Sequence, residues 1–163
     1  MALFPDPKTK PLNGSAGQFQ NMEEWNAFTA FASAPVGFGL PVSVSGQAGD
    51  GTAQVKLLAT GEVFAGITRE NITTSTVGNS LLYAIGDQLA VADEGVIFVP
   101  VAGVVTKGQK PFFNPTNQSF YGASAAGYLP IPNAEFDQGG AAGTVVPLRL
   151  RVVPGGAAVT AAT

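Results

Sequence analysis

The stretch LLYAIGDQLAVADEGVIFVPV, residues 81–101, decides the fold. Short apolar runs over 88–92 and 96–101 have the length of single β-strands. Between them, Asp93-Glu94-Gly95 predicts a three-residue hairpin loop, with Gly95 at the position of positive φ. The stretch therefore predicts two antiparallel strands.

Similar apolar runs, separated by turn residues, continue on both sides of this stretch. The predicted strands cover residues 40–44, 53–58, 62–68, 81–85, 88–92, 96–101, 104–106, 110–113, 118–121 and 144–153. In the last of these, Leu148 and Leu150 alternate with Arg149 and Arg151, which predicts one buried and one wet face. Asn114–Asn117 has the composition of a β-turn between two strands. Short strands at a spacing of about ten residues favour an all-β barrel or sandwich.

The composition excludes several classes of function. The 163 residues include no Cys and no His, so disulfides, Cys/His zinc sites and imidazole catalysis are excluded. Eight basic and eleven acidic side chains give a net charge of −3, and the basic ones are scattered, which disfavours nucleic-acid binding. We expect no metal, no cofactor and no membrane span.

The carboxylate pairs have ordinary structural explanations. Asp93 and Glu94 lie in the predicted hairpin loop, where acidic residues usually form the turn. Glu135 and Asp137 would share one face of a strand, but no further oxygen ligands cluster near them in the sequence. The sequence therefore predicts no catalytic residues.

The first 35 residues differ from the rest and predict an N-terminal arm. Asn21 as cap and Glu24 three residues later resemble a helix start. Apolar residues then recur every three positions, at Met22, Trp25, Phe28 and Phe31. This period predicts a short helix near 22–33; the alternative is an extended segment whose aromatic side chains fill pockets on another surface. Residues 36–153 would form the β body and 154–163 a flexible tail.

Aromatic residues are concentrated in this arm and just after it. Six of the fifteen aromatic residues lie within the first forty positions: Phe4, Phe19, Trp25, Phe28, Phe31 and Phe38. They are the candidate partner-binding anchors, because buried aromatic side chains dominate interface energetics. The alternative is that they pack on the core of their own domain.

Five stretches, taken in order, resemble one known family. They are VGFGLPV at 36–42, FAGI at 64–67, the run from Tyr83 through Gly86-Asp87 and Gly95 to Val101, VVTKGQ at 104–109, and IPNAEF at 131–136 followed by 148–152. In this order they resemble the tailed-phage capsid cement (head decoration) proteins, and they cover most of residues 36–153. Gln109 stands where an Asp is usual in that family.

The resemblance implies a fold and a role. The body would be a single β-barrel or β-tulip-like domain. The protein would be a virion component on the outer capsid surface, bound to the major capsid protein and cementing neighbouring subunits of the expanded head. Self-association as a trimer or dimer at capsid symmetry axes is implied, with no active site and no cofactor. Deleting residues 1–20 should then spare folding and weaken capsid binding.

Two other classes of function stay open. One is a carbohydrate- or receptor-binding β domain of a virion or cell-surface protein, in which Tyr83, Tyr121, Tyr128 and Trp25 would stack on sugar faces. The other is a His-free enzyme that uses carboxylates or a Lys, for which the sequence shows no constellation.

Overall fold

The computed structural model describes residues 14–20, 25–70 and 82–163. In this part of the chain the regular elements are twelve β-strands: β1 (Asn26–Ala32), β2 (Val36–Gly37), β3 (Pro41–Gln47), β4 (Ala53–Leu57), β5 (Phe64–Thr68), β6 (Leu82–Tyr83), β7 (Gln88–Pro100), β8 (Phe112–Asn114), β9 (Ser119–Tyr121), β10 (Leu129–Pro130), β11 (Ala134–Phe136) and β12 (Val145–Arg151). Within the described ranges, nothing has the form of a long apolar helix that could cross a membrane.

Five of the strands close a β-barrel. Their order is β1-β4-β3-β5-β7, and β7 pairs back with β1. The β1–β4 pairing is parallel and the other four are antiparallel. Closure leaves these strands without exposed edges, and it confirms the predicted all-β barrel.

The predicted hairpin at Asp93-Glu94-Gly95 is wrong. β7 runs without interruption from Gln88 to Pro100. Gly95 does have a positive φ, +123°, but it lies inside the strand. The first half of β7 pairs with β1 as far as Glu94, and the second half pairs with β12 from Glu94 onward. Pairing with β1 and with β12 therefore outweighs the local preference for a turn at Asp93-Glu94-Gly95. The register of the β1–β7 pairing shifts between Asn26 and Ala27, which indicates a β-bulge there.

The predicted helix near 22–33 is also wrong over the residues described. Residues 26–32 form β1, while Asn21 and residues 22–24 lie outside the described part. Because side chains alternate along a strand, Phe28 faces the core and Phe31 faces the opposite side. Pairing with β7 and β4 outweighs the three-residue period, because the barrel cannot close without β1.

The barrel interior is apolar and its buried polar groups are bonded. Val42, Val55, Ile67 and Val91 are each fully buried. Thr68 is equally buried. Its hydroxyl donates to the carbonyl of Gly37 at 2.7 Å and accepts a hydrogen bond from the amide of Leu40 at 3.0 Å. Burial with satisfied hydrogen bonds is what a stable core requires.

The sheet continues from β7 beyond the barrel. β12 pairs with the second half of β7, and β11 pairs with β12. β12 shows the predicted alternation, with Leu148 and Leu150 buried and Arg149 and Arg151 exposed. A small sheet, β10-β8-β9, is also present, and its β8–β9 strands flank the predicted turn at Asn114–Asn117.

The C-terminal residues contact the body. Ala158 forms a bridge with Val63, and Val159 is only 5% exposed. The amide of Gly61 donates to the carbonyl of Val159 at 2.8 Å. The amide of Val159 donates to the carbonyl of Glu62, also at 2.8 Å. These contacts belong to the segment predicted as a flexible tail. The division into arm, body and tail stays a prediction.

Candidate partner-binding surface

Residues 17–20 lie along β7 as an added strand. The amide of Gly17 donates to the carbonyl of Phe98 at 2.8 Å, and the amide of Phe98 donates to Gln18 at 2.9 Å. The amide of Gln20 donates to Val96 at 2.8 Å. We call residues 14–20 the arm root, because this backbone ladder fixes where the predicted arm joins the barrel.

Two glycines allow the arm root to lie this close to the barrel. Gly17 has a φ of +83° and Gly39 a φ of +69°. A Cβ at Gly17 would lie 2.4 Å from the backbone nitrogen of Glu70, and one at Gly39 would lie 2.8 Å from the nitrogen of Gly17. Any other residue at these positions would clash as well as strain the backbone. The amide of Glu70 also donates to the carbonyl of Gly17 at 2.8 Å.

An aromatic–cation cluster, formed by Phe19, Trp25 and Arg69, lies beside the arm root. The ring centroids of Phe19 and Trp25 are 5.1 Å apart, with their planes tilted by 40°. The guanidinium carbon of Arg69 lies 4.8 Å from the first centroid and 5.5 Å from the second. Such distances are typical of cation–π attraction. Trp25 keeps 44% of its surface exposed.

Gly95 of β7 lies directly against Phe19 and Trp25 of the cluster. A Cβ at Gly95 would lie 2.9 Å from the Cβ of Trp25 and 3.1 Å from the ring of Phe19. The positive φ that the sequence assigned to a hairpin loop therefore allows two aromatic side chains to pack over β7.

One buried polar atom of the cluster, and two others in the described part of the chain, lack a hydrogen-bond partner. In the described part of the chain, the buried side-chain atoms that lack a hydrogen bond are Oε1 of Gln20, Nε of Arg69 and Oδ1 of Asp93. Gln20 follows Phe19, and Asp93 precedes Gly95 by two positions. The other oxygen of Asp93 accepts a hydrogen bond from the side-chain Nδ2 of Asn26 at 3.2 Å. Native buried polar groups are normally paired, so Arg69 in the cluster is less completely bonded than the buried Thr68 of the barrel.

A groove of about 610 Å³ begins at Gly95 and crosses β12 to β11. Two ion pairs border it: Arg151 Nε donates to Glu94 at 2.6 Å, and Arg149 Nε donates to Asp137 at 3.2 Å. The groove is lined by Glu94, Gly95, Asn133, Ala134, Glu135, Arg149, Leu150 and Arg151. Because Gly95 contacts Trp25 and also lines the groove, the groove and the aromatic–cation cluster adjoin.

The structure separates the six predicted anchors. Phe19 and Trp25 come together at the surface, and Phe19 also packs partly on the core. Phe28 packs against the core, while Phe31 lies on the outer face of β1, between Gln54 and Gln88 of the neighbouring strands. Phe38 is 8% exposed and contacts Tyr83 edge-on at 5.0 Å, so it belongs to the core. Phe4 lies outside the described residues.

The three tyrosine rings make contacts within the chain. Tyr83 is buried, its hydroxyl donates to the carbonyl of Arg69 at 2.6 Å, and burial raises its pKa to about 12. Tyr121 and Tyr128 lie against each other, with ring centroids 4.7 Å apart. Their mutual hydrogen bond raises the pKa of Tyr128. These rings are occupied by contacts within the chain.

Sequence reasoning missed Arg69, the cationic member of the cluster. It follows β5 directly and carries no local pattern that links it to residues about fifty positions earlier. The exposed Ile85 and Val104, at 70% and 74%, were also not singled out. Among the described residues, Glu135 and Asp137 included, no three acidic side chains come together.

The comparisons identify the family. The chain belongs to the family described as "Structural cement protein (E217 gp24/Pam3 gp6)", whose model matches residues 7–151. This confirms the resemblance found in the sequence and assigns the chain a structural role in a phage virion. No curated protein matches the chain.

Two solved structures show a similar fold. One is a chain from "The capsid of Myoviridae Phage XM1", with 18% identity, 93% of this chain and 98% of that chain covered, and a TM-score of 0.69. The other is "The crystal structure of head fiber gp8.5 N base in bacteriophage phi29", with 13% identity, coverage of 78% and 94%, and a TM-score of 0.50. At these identities the likeness concerns the fold alone.

Proposed function

We propose that this protein binds the outer surface of the expanded phage head and cements neighbouring major capsid subunits. The observation that carries the proposal is the exposed Trp25, packed with Phe19 and Arg69 at the root of the arm, on a body of the structural cement family. Phe4, Phe19, Trp25, Phe28 and Phe31 are the proposed anchors. Phe19 and Phe28 stay in the set because they pack on the core but are only partly buried, whereas Phe38 is buried in the core and is left out.

The physical properties of the body suit a fastener. A closed barrel with a buried apolar interior resists deformation, because packed cores have low compressibility. A charged fraction of 12% leaves much of the surface available for apolar contact. We therefore propose a mechanical role, with no catalysis and no cofactor.

Self-association as a trimer or dimer at capsid symmetry axes is part of the proposal. Several copies held together would dock through parallel weak contacts, and the effective concentration within one assembly can raise avidity about 10²–10⁴-fold without new contacts. Measuring the mass in solution, by light scattering, distinguishes monomer, dimer and trimer. If the protein were a monomer both in solution and on heads, the proposed self-association would be wrong.

The deletion that tests the arm should stop at residue 13. Residues 17–20 pair with β7, and Phe19 packs on the core, so removing residues 1–20 would damage the fold as well as the arm. A chain that starts at residue 14 keeps the hydrogen bonds that join residues 17–20 to β7.

Cosedimentation with purified expanded heads that lack the protein tests the function. We expect the full chain to bind, and we expect removal of residues 1–13 and, separately, Trp25→Ala to weaken binding at least about tenfold, as loss of an interface hot spot does. Val104→Ala, at an exposed apolar side chain outside the cluster, is the matched control and should bind as the full chain does. Failure of the full chain to sediment with heads would contradict the proposal.

A further inference from the structure

We propose that the aromatic–cation cluster and the adjoining groove bind an extended segment of the partner protein that carries an acidic side chain. The carboxylate would pair with Arg69, an apolar neighbour would contact Trp25, and the segment would continue over Gly95 into the groove. This inference rests on the proposed function and goes beyond it by naming the chemistry of the partner.

The geometry of Arg69 favours a carboxylate. Phe19 and Trp25 lie against the guanidinium, with ring centroids 4.8 and 5.5 Å from its central carbon. Stacking of this kind uses the faces of the guanidinium, whereas its N–H groups point outward in the plane, where they match the two oxygens of a carboxylate. The contacts that hold Arg69 in place are therefore compatible with an additional ion pair.

The two acidic residues that precede Gly95 have partners of their own. Glu94 accepts hydrogen bonds from Arg151, with an Nε–Oε1 distance of 2.6 Å. Asp93 accepts from Asn26 at 3.2 Å. Among the described residues, the guanidinium of Arg69 lies against the two rings, and its Nε is buried without a hydrogen bond.

The apolar surroundings would strengthen such a pair. Trp25 is 44% exposed, so a partner segment that covers it would remove water from the cluster. A charge pair that loses its surrounding water experiences a lower effective dielectric constant and a stronger attraction. Trp and Arg are also the residue types most enriched among interface hot spots.

The groove accounts for the extended shape of the partner. The groove of about 610 Å³ borders the cluster at Gly95, and the charged side chains that line it are two basic ones, Arg149 and Arg151, and two acidic ones, Glu94 and Glu135, which balance in charge. A groove with balanced charge does not select for the sign of its ligand. Selection for a carboxylate therefore falls to Arg69.

The test uses the same heads with four variants of the full chain. We expect Arg69→Gln to weaken binding at least about tenfold and Arg69→Glu at least about a hundredfold, because the latter adds like-charge repulsion, whereas Arg69→Lys should retain part of the affinity. Lys107→Gln removes one positive charge from an exposed loop position, and it should stay within about twofold of the wild type. Thermal unfolding of each variant confirms that it is folded.

Ionic strength supplies a readout that a merely structural role for Arg69 would not move. Raising the salt from about 0.05 M to about 0.5 M should weaken wild-type binding more steeply than Arg69→Gln binding, because an ion pair is screened and a neutral contact is not. The chain has a single Trp, so 5-fluorotryptophan labels Trp25 alone, and its ¹⁹F resonance should shift when heads are added.

The outcomes separate the two proposals. If Trp25→Ala loses binding while Arg69→Gln and Arg69→Glu bind as the wild type does, the carboxylate inference is overturned and the cementing function stands. An unchanged ¹⁹F resonance on saturated heads would show that the cluster is not the docking site. If the wild type itself does not bind, the proposed function fails first.

Discussion

The barrel interior and the aromatic–cation cluster differ in how completely their side chains are buried and hydrogen-bonded. In the barrel, Thr68 is fully buried and yet bonded on both sides, and its apolar neighbours, such as Ile67, are inaccessible to water. Around the cluster, Trp25 is 44% exposed, and the buried atoms without partners in the described chain belong to Gln20, Arg69 and Asp93.

The difference indicates a division of labour within a small chain. The barrel supplies stability, because burial and hydrogen bonding there are complete within one molecule. The cluster gains less from folding alone, since exposed aromatic surface and an unpaired polar atom are costs that a covering partner would reduce. Variants in the two regions should therefore separate stability from binding.

The largest effect on stability is expected in the barrel. Ile67→Ala removes a fully buried side chain and should lower the free energy of unfolding by about 3 kcal/mol, because the lost burial and the cavity add. Urea unfolding measures it. Val44→Ala, at a side chain that is 53% exposed, is the control and should change it by less than about 0.5 kcal/mol. If the folded Ile67→Ala protein bound heads much more weakly than the wild type, the assignment of stability to the barrel and of binding to the cluster would be wrong.

A smaller effect on the free energy of unfolding is expected at the arm root, which lies between the barrel and the cluster. Gly17→Ala should lower the free energy of unfolding by about 2 kcal/mol, because it combines a positive φ with a clash against the backbone of Glu70. Gly51→Ala has a similar φ of +85° but open space, so it isolates the backbone strain, about 1 kcal/mol.

Hydrogen exchange then locates the change at the arm root. In Gly17→Ala the amide of Gln20, which donates to Val96 of β7, should exchange faster, because the ladder loosens. Unchanged protection of this amide would show that the arm root does not depend on the close approach at Gly17.

The smallest effect concerns a polar network at the rim of the barrel. Burial alone would raise the pKa of Glu62, but hydrogen bonds from Lys56, Ser43 and the amide of Ala59 outweigh it and hold the pKa below its ordinary value. A lowered folded-state pKa stabilises the protein at pH values above the unfolded-state pKa, and this contribution is lost as the pH falls through the folded-state pKa.

Glu62→Gln should therefore cost about 1 kcal/mol near neutral pH. The difference from the wild type should shrink as the pH is lowered below about 4.5, where the unfolded-state carboxyl takes up its proton. Urea unfolding at a series of pH values measures it. A difference that stays constant at low pH would show that the charge of Glu62 contributes nothing.

The sequence predicted those parts of the fold that depend on local pattern. The alternation of Leu148 and Leu150 with arginines places β12 correctly, and the turn at Asn114–Asn117 joins β8 and β9. The helix near 22–33 and the hairpin at Asp93-Glu94-Gly95 are wrong for one reason. Both segments pair with strands distant in sequence, and those ladders outweigh local signals.

The same limit applies to the surface. The concentration of aromatic residues drew attention to Phe19 and Trp25, but no pattern indicated that Arg69 would lie over both rings. Phe38, two positions after the start of the body, could not be told from an anchor by sequence, because its burial depends on Tyr83. Contacts between distant segments require the fold.

Cryo-electron microscopy of expanded heads saturated with the full chain tests the central claim most directly. The account predicts density for the protein on the outer surface, spanning neighbouring major capsid subunits, with Trp25 and Arg69 against the shell. Heads that carry no added density, or density in which Trp25 faces solvent while another face of the barrel contacts the capsid, would contradict it.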